Sequence, residues 1–218
     1  EIYIGKDKPL APQNITLTRE NSINTVSWEA PAGTENGGYM NVEDLTYKVT
    51  RMPGNVVVKE KLKAATYSEM FDSDELAVYY YNVTAFNDTI ERASANSNSI
   101  KIGEALDPPY SQDFTDKTSL DLYTIIDVNG DKSTWAYSSG KVSYRYNSKN
   151  VADDWLITPP LRLVAGNKYV ISYDVYALNA RSPEKLEVKM GKTATADGMT
   201  SCLMEEKEYT NTCREPLT

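Results

Sequence analysis

The stretch YYYNVTAFN, residues 79–87, sets Tyr79, Tyr81, Val83 and Ala85 at every second position, with Tyr80, Asn82, Thr84 and Phe86 between them. Successive side chains of a strand point to opposite faces, so this alternation specifies a long strand with one buried side. Working outward, the same period recurs. Ile15 and Leu17 alternate with Thr16 and Thr18, Val26 and Trp28 share a face in NTVSWEAP, and Leu45, Tyr47 and Val49 share one in LTYKVTR. Pro31, the pair Gly37 and Gly38, and Pro53 with Gly54 close these runs, as turn residues should. VVVKEKL continues the pattern, a turn is expected over residues 87–91, and SNSIKI closes the set.

Composition supports the strand reading. Sixteen Tyr against three Phe, with Val, Ile and Thr frequent, favour β structure, and 218 residues leave room for two modules of about a hundred residues each. The 31 acidic and 23 basic residues include no basic run, which argues against nucleic acid or an anionic membrane as partner. Histidine is absent from the sequence, which removes Ser-His-Asp, Cys-His and zincin chemistry within this chain. No segment approaches the roughly 18 consecutive apolar residues of a membrane span, and the N-terminus lacks a signal-peptide pattern. An export signal is therefore expected to have been removed or to lie upstream. Cys202 and Cys213 are compatible with a bridge in an oxidising compartment or with two reduced thiols.

About seven short strands over residues 10–103 is the arithmetic of an immunoglobulin-like sandwich. Pro12, Trp28 with Pro31 in SWEAP, the series Tyr47, Val49, Arg51, and the series Tyr79, Tyr81, Val83, Ala85, Asn87 resemble the fibronectin type III family. That resemblance implies a buried Trp28 and makes Tyr79 the candidate corner tyrosine. It also gives a meaning to IYIGKDKPLAP (2–12), whose opening is repeated in IKIGEALDPP (100–109). IKIG closes the first sandwich, so IYIG reads either as the last strand of another module in a tandem array or as a chance recurrence. The boundaries expected are 1–9 for that end strand and linker, 10–103 for the first domain, 104–109 for a proline-stiffened linker and 110–218 for the second.

The second half resumes as strands in YSQDF, LYTIIDV, TWAYS, VSYRYN, WLITPPLRL, KYVISYDVYAL and KLEVKMG, with Tyr169, Ile171, Tyr173 and Val175 expected on one face. DVNGDKSTW (127–135), DDWLITPP (153–160) and KLEVKMGKTAT resemble the cleaved-adhesin, or choice-of-anchor J, family. The resemblance implies an all-β jelly roll of galactose-binding-like type over residues 108–218 and a bacterial secreted or cell-surface setting. Two departures stand out: Phe114 is followed by Thr115 rather than Glu, and the family's closing strands are not represented, so a truncated module with an open edge is expected.

Carboxylates are the only plausible metal ligands. Asp127, Asn129 and Asp131 occupy alternate positions of DVNGD, a spacing that can turn three oxygens toward a calcium ion, with Asp153 and Asp154 as further candidates. The pattern is not an EF-hand, since glycine falls fourth and Ser138 stands twelfth. The same residues also suit any tight surface turn. Trp135 and Trp155 are candidate sugar-stacking faces, although a tryptophan within an alternating strand more often faces a core. Asp153 and Asp154, being adjacent on a strand, point to opposite faces and cannot act as a glycosidase pair.

No catalytic residues are expected. The sequence reads as a non-catalytic extracellular adhesin-like protein, monomeric within a longer multi-domain chain, whose fibronectin-like spacer presents a jelly roll to a host protein or glycan. The alternatives are an accessory carbohydrate-binding module of a larger hydrolase or protease and a purely structural spacer.

Overall fold

A computed structural model describes residues 4–212 and the backbone of 215–217, leaving aside the side chains of 91 and 92. Ile2 and Tyr3 of the opening phrase and Cys213 lie outside the described residues; Cys202 is an exposed free thiol. The chain is all-β and divides into two compact units, Glu1–Glu104 and Ala105–Thr218.

In the first unit, strands β1 (Gln13–Glu20), β2 (Ile23–Glu29), β3 (Thr46–Met52), β4 (Val56–Leu62), β5 (Thr66–Met70), β6 (Ala77–Asn87), β7 (Ile90–Asn96) and β8 (Ile100–Ile102) form two antiparallel sheets. One runs β1-β2-β5; the other runs β4-β3-β6-β7, with β8 also on β6. Three strands facing five, of which β7 and β8 are successive segments that both pair with β6, form a fibronectin type III-like sandwich.

The core lies on the faces that alternation marks. Leu17, Val26, Trp28, Leu45, Tyr47, Val49, Tyr81, Val83 and Ala85 form one buried cluster. Burying each large side chain is worth about 1.5–3 kcal/mol, and Trp28 meets Tyr47 edge-on at 5.2 Å between ring centroids.

Two polar devices tie the sheets together. Asn24 Nδ2 donates to Tyr81 OH at 3.1 Å, Tyr81 OH donates to Glu69 Oε1 at 2.5 Å, and Arg51 completes the chain to Glu69 at 2.6 Å. Burial, then the bond to Glu69, pushes the Tyr81 hydroxyl up to about 12. The second device is the break between β7 and β8, where Asn98 accepts from Leu17 N at 2.7 Å and donates to Leu17 O at 3.0 Å, acting as a strand partner for β1.

Three expectations for this unit are corrected. β5 follows Val56–Leu62 too closely to have been counted separately, although Tyr67 lies partly buried against the core. The turn expected over residues 87–91 is shorter, because β7 already begins at Ile90 and pairs with Asn87. Tyr79 hydrogen-bonds the Ser73 hydroxyl at 3.1 Å rather than an upstream backbone group.

The second unit contains β9 (Thr124–Asp127), β10 (Ala136–Tyr137), β11 (Val142–Ser143), β12 (Asp154–Ile157), β13 (Tyr173–Val175), β14 (Glu184–Met190), β15 (Ser201–Tyr209) and β16 (Glu215–Leu217). They pair as separate two-stranded ladders: β10-β11, β12-β9, β13-β16 and β14-β15. YSQDF forms no strand, and KYVISYDVYAL is strand only over Tyr173–Val175. The face expected for Tyr169, Ile171, Tyr173 and Val175 is therefore not assembled as one buried surface: Tyr169 and Ile171 are 37% and 54% exposed. Alternation marks a face as buriable, but a layer must cover it, and residues 163–171 have no ladder partner among the described residues. SCLMEEKEY, which carries a weaker apolar pattern, is a nine-residue strand because β14 pairs along it.

Candidate functional site

The residues singled out in the second unit gather around the β9-β12 ladder. Asp154 stands directly opposite Asp127, and Trp155 opposite Ile126, so Asp127 and Asp154 share one face at the mouth of the loop that follows β9. Asp153, just before β12, is exposed, and its carbonyl accepts from Val128 N at 3.1 Å.

Asp127 builds that loop. Its Oδ1 accepts from Gly130 N at 2.7 Å and Asp131 N at 3.2 Å, and its Oδ2 accepts from Lys132 N at 2.8 Å. A carboxylate that accepts three consecutive backbone donors wraps the chain round itself. Gly130 and Lys132 take the left-handed φ values of 72° and 68° that this winding requires.

Asn129 and Asp131 then hold a second loop. Asn129 Nδ2 donates to Val151 O at 2.8 Å, while Asp131 Oδ2 accepts from Asn147 Nδ2 at 2.8 Å and Asn150 Nδ2 at 3.2 Å. Residues 146–151 are thus pinned at both ends to residues 129 and 131. The pinned loop turns Tyr146, 73% exposed, and Val151, 88% exposed, into solvent.

The oxygens of Asp127, Asn129 and Asp131 are thereby engaged with donors of the protein itself. Among the described residues, no three Asp, Glu or Cys side chains converge to hold a metal. Asp154 differs, since both its carboxylate oxygens are buried away from backbone donors and the buried Tyr144 hydroxyl is the group that faces them. Burial, and then the negative charges of Asp154, Asp131 and Glu184, raise the Tyr144 hydroxyl above its ordinary value.

The two tryptophans are half-buried and differently engaged. Trp135 Nε1 donates to Asp154 O at 3.2 Å, and its ring lies 5.9 Å from that of Tyr144. Lys189 Nζ stands 5.5 Å over the Trp155 ring. Tyr144, Tyr146 and Asn147 were not singled out from sequence. Their only signal is the polar–aromatic alternation of VSYRYN, and their roles arise from contacts across the loop.

Two depressions lie elsewhere, both on the first unit and open to solvent: one of about 500 Å³ along Val57–Glu60 and one of about 390 Å³ between Arg19, Asp72 and Lys101.

No family model matches the chain, and no curated protein matches it. Solved structures do. The rat CD45 extracellular region, domains d3-d4, is 14% identical with a TM-score of 0.35 over 43% of this chain, which spans 49% of that structure. The fibronectin type-III domain of human fibronectin type III domain containing protein 3 is 18% identical with a TM-score of 0.32, over 45% of this chain and 87% of that one. The chicken interferon gamma receptor alpha chain is 11% identical with a TM-score of 0.34, over 68% and 82% of the two chains. The strand order and registers define the fibronectin type III-like fold independently of these likenesses. Among the described residues no helix is long and apolar enough to cross a membrane.

Proposed function

We propose that the chain is a non-catalytic extracellular binding protein in which the fibronectin type III-like unit serves as spacer and the second unit, an adhesin-type jelly roll of a bacterial surface or secreted protein, contacts a host protein or glycan. The observation that supports binding is the pinned loop: Asp131 and Asn129 hydrogen-bond Asn147, Asn150 and Val151 while the side chains of Tyr146 and Val151 face water. An exposed aromatic on a loop ordered in advance loses little freedom on contact, which is what favours a binding surface. The spacer role rests on the sealed core of the first unit.

Immobilised extracellular-matrix proteins and a glycan array test this with the wild-type chain and with Tyr146→Ala, Trp135→Ala and Trp155→Ala. Loss of binding at Tyr146→Ala, with an unchanged melting temperature, is expected. Glycan binding lost only at Trp155→Ala or Trp135→Ala would favour the carbohydrate-module alternative. No binding to either panel would leave the structural spacer.

Calcium enters this reading at Asp154. Its buried oxygens, which face the Tyr144 hydroxyl and take no backbone donor, suit a hard cation, and the ion's contribution would be to hold β12 against the loop after β9. Melting with calcium and with chelator tests this: a transition raised by calcium and restored by chelator supports it, and an unchanged one removes it.

A further inference from the structure

The repeated phrase of the sequence, Ile-x-Ile-Gly at 2–5 and 100–103, is repeated in the backbone where it is described. Gly5 has φ 125° and Gly103 has φ 137°, values that L side chains rarely adopt. At Gly103 the reason is visible. β8 closes the first unit by pairing with Ala77–Tyr79, Ile102 is 4% exposed, and a Cβ on Gly103 would lie 2.3 Å from Leu76 Cα and 2.5 Å from Glu75 O. Only a glycine lets the end of this strand pass so near the 75–76 backbone.

The segments downstream of the two glycines are alike as well. Beyond Gly103, Leu106 forms a parallel bridge with Leu161, with Leu106 N to Pro160 O and Arg162 N to Leu106 O both at 2.8 Å. Beyond Gly5, Lys6 forms a parallel bridge with Tyr39, with Tyr39 N to Gly5 O at 2.7 Å and Asp7 N to Tyr39 O at 3.4 Å. In each case the chain leaves its glycine and is hydrogen-bonded to the β unit that comes next.

Asp7 makes the first of these attachments tight. It is 2% exposed; its carboxylate accepts from Lys8 N, Asn36 N, Asn36 Nδ2 and Gly38 N, and Asn87 Nδ2 grips its carbonyl at 2.9 Å. The two copies differ on the other side of the glycine. Ile4, the counterpart of buried Ile102, is 92% exposed, and a Cβ on Gly5 would meet nothing within 4 Å.

We propose that residues 4–10 are the downstream half of a module joint of the same kind as residues 102–106. The partner of Ile4 and Gly5 is a β-sandwich preceding Glu1 in the same polypeptide, which receives them against a backbone turn equivalent to Glu75 and Leu76. The joint consists of a closing strand, an obligatory glycine and a short segment hydrogen-bonded to the next module, and the array is built by repeating it.

The test uses the natural polypeptide extended N-terminally through the sequence that precedes Glu1, beside the chain 1–218, each with Ile4→Asp, Ile4→Val and Gly5→Ala. In 1–218, Ile4→Asp is expected to leave the melting temperature unchanged. In the extended polypeptide, Ile4→Asp and Gly5→Ala are expected to lower the transition of the added module by at least about 4 °C, with Ile4→Val close to wild type. A preceding sequence that forms no β-sandwich, or an Ile4→Asp variant as silent in the extended polypeptide as in 1–218, would overturn the proposal and leave the repeated phrase a coincidence.

Discussion

The two units are written in the same alternating vocabulary and bury it to different degrees. β6 carries Tyr79, Tyr81, Val83 and Ala85 into a core where Val83 and Ala85 are completely enclosed. The stretch over residues 169–175 has the same period and the same residue types, yet Ile171 stands 54% exposed. β6 has β3 on one edge and β7 and β8 on the other, and a second sheet lies over its inner face. In the second unit the ladders are two strands wide, and the buried apolar residues described there are Tyr123, Ile157, Pro159, Ala177 and Tyr209. Hydrophobic alternation therefore fixes which face of a strand can be buried; neighbouring strands decide whether it is.

One substitution made in both units would break this comparison most sharply. Val83→Asp places an unpaired charge in the enclosed core and is expected to abolish folding of the first unit, seen as loss of its cooperative denaturant transition. Ile171→Asp is expected to change stability by less than about 1 kcal/mol, because more than half of the side chain is already in water. If the two effects were similar, the contrast between the units would fail.

Smaller changes grade the contrast. Trp28→Ala should destabilise the first unit by about 3–5 kcal/mol, and Ile157→Ala the second by about 2 kcal/mol, measured by urea unfolding. Tyr81→Phe should reduce the stability of the first unit by about 1–3 kcal/mol, since Asn24 loses its acceptor and Glu69 a donor.

The pH dependence arises from the same network. An unfolded tyrosine titrates near 10, whereas Tyr81 is pushed up to about 12. The folded state thus holds the proton more tightly, so this contribution is fully present below about pH 10 and is lost as pH rises toward 12. Tyr81→Phe should flatten that alkaline loss. Asp7 acts at the other end of the scale. Burial favours its neutral form, but hydrogen bonds from Asn36, Lys8 and Gly38 outweigh it and hold the carboxyl well below the usual range. Its contribution is present above about pH 4 and is lost as pH falls through the folded value, an acid loosening of residues 5–10 that Asp7→Asn should remove.

Much of the first unit was legible because each strand carries its own evidence: Trp28, Tyr47 and Tyr81 face the core as their spacing requires. What was missed there are relations between strands. β5 is polar on its outer face and lies only a few residues after β4, and the β7–β8 break serves Asn98, whose partner Leu17 is 81 positions away. In the candidate site, Asp127, Asn129 and Asp131 were found by spacing alone, but spacing could not say whether their oxygens turn to a metal or to the backbone. The donors, from Gly130 to Asn150, are fixed only by the folded loops. The burial of the Asp154 carboxylate beside Tyr144 was likewise illegible, since burial of a side chain is a property of its surroundings.

Hydrogen exchange read peptide by peptide across the whole chain is the sharpest check on the difference between the units: a sealed fibronectin type III-like sandwich followed by a more open β unit bearing hydrogen-bonded loops. The account predicts slowest exchange in β2, β3 and β6, intermediate protection in the β9-β12 and β14-β15 ladders, and near-unprotected amides over residues 165–171. Protection over residues 165–171 equal to that of β6 would contradict it.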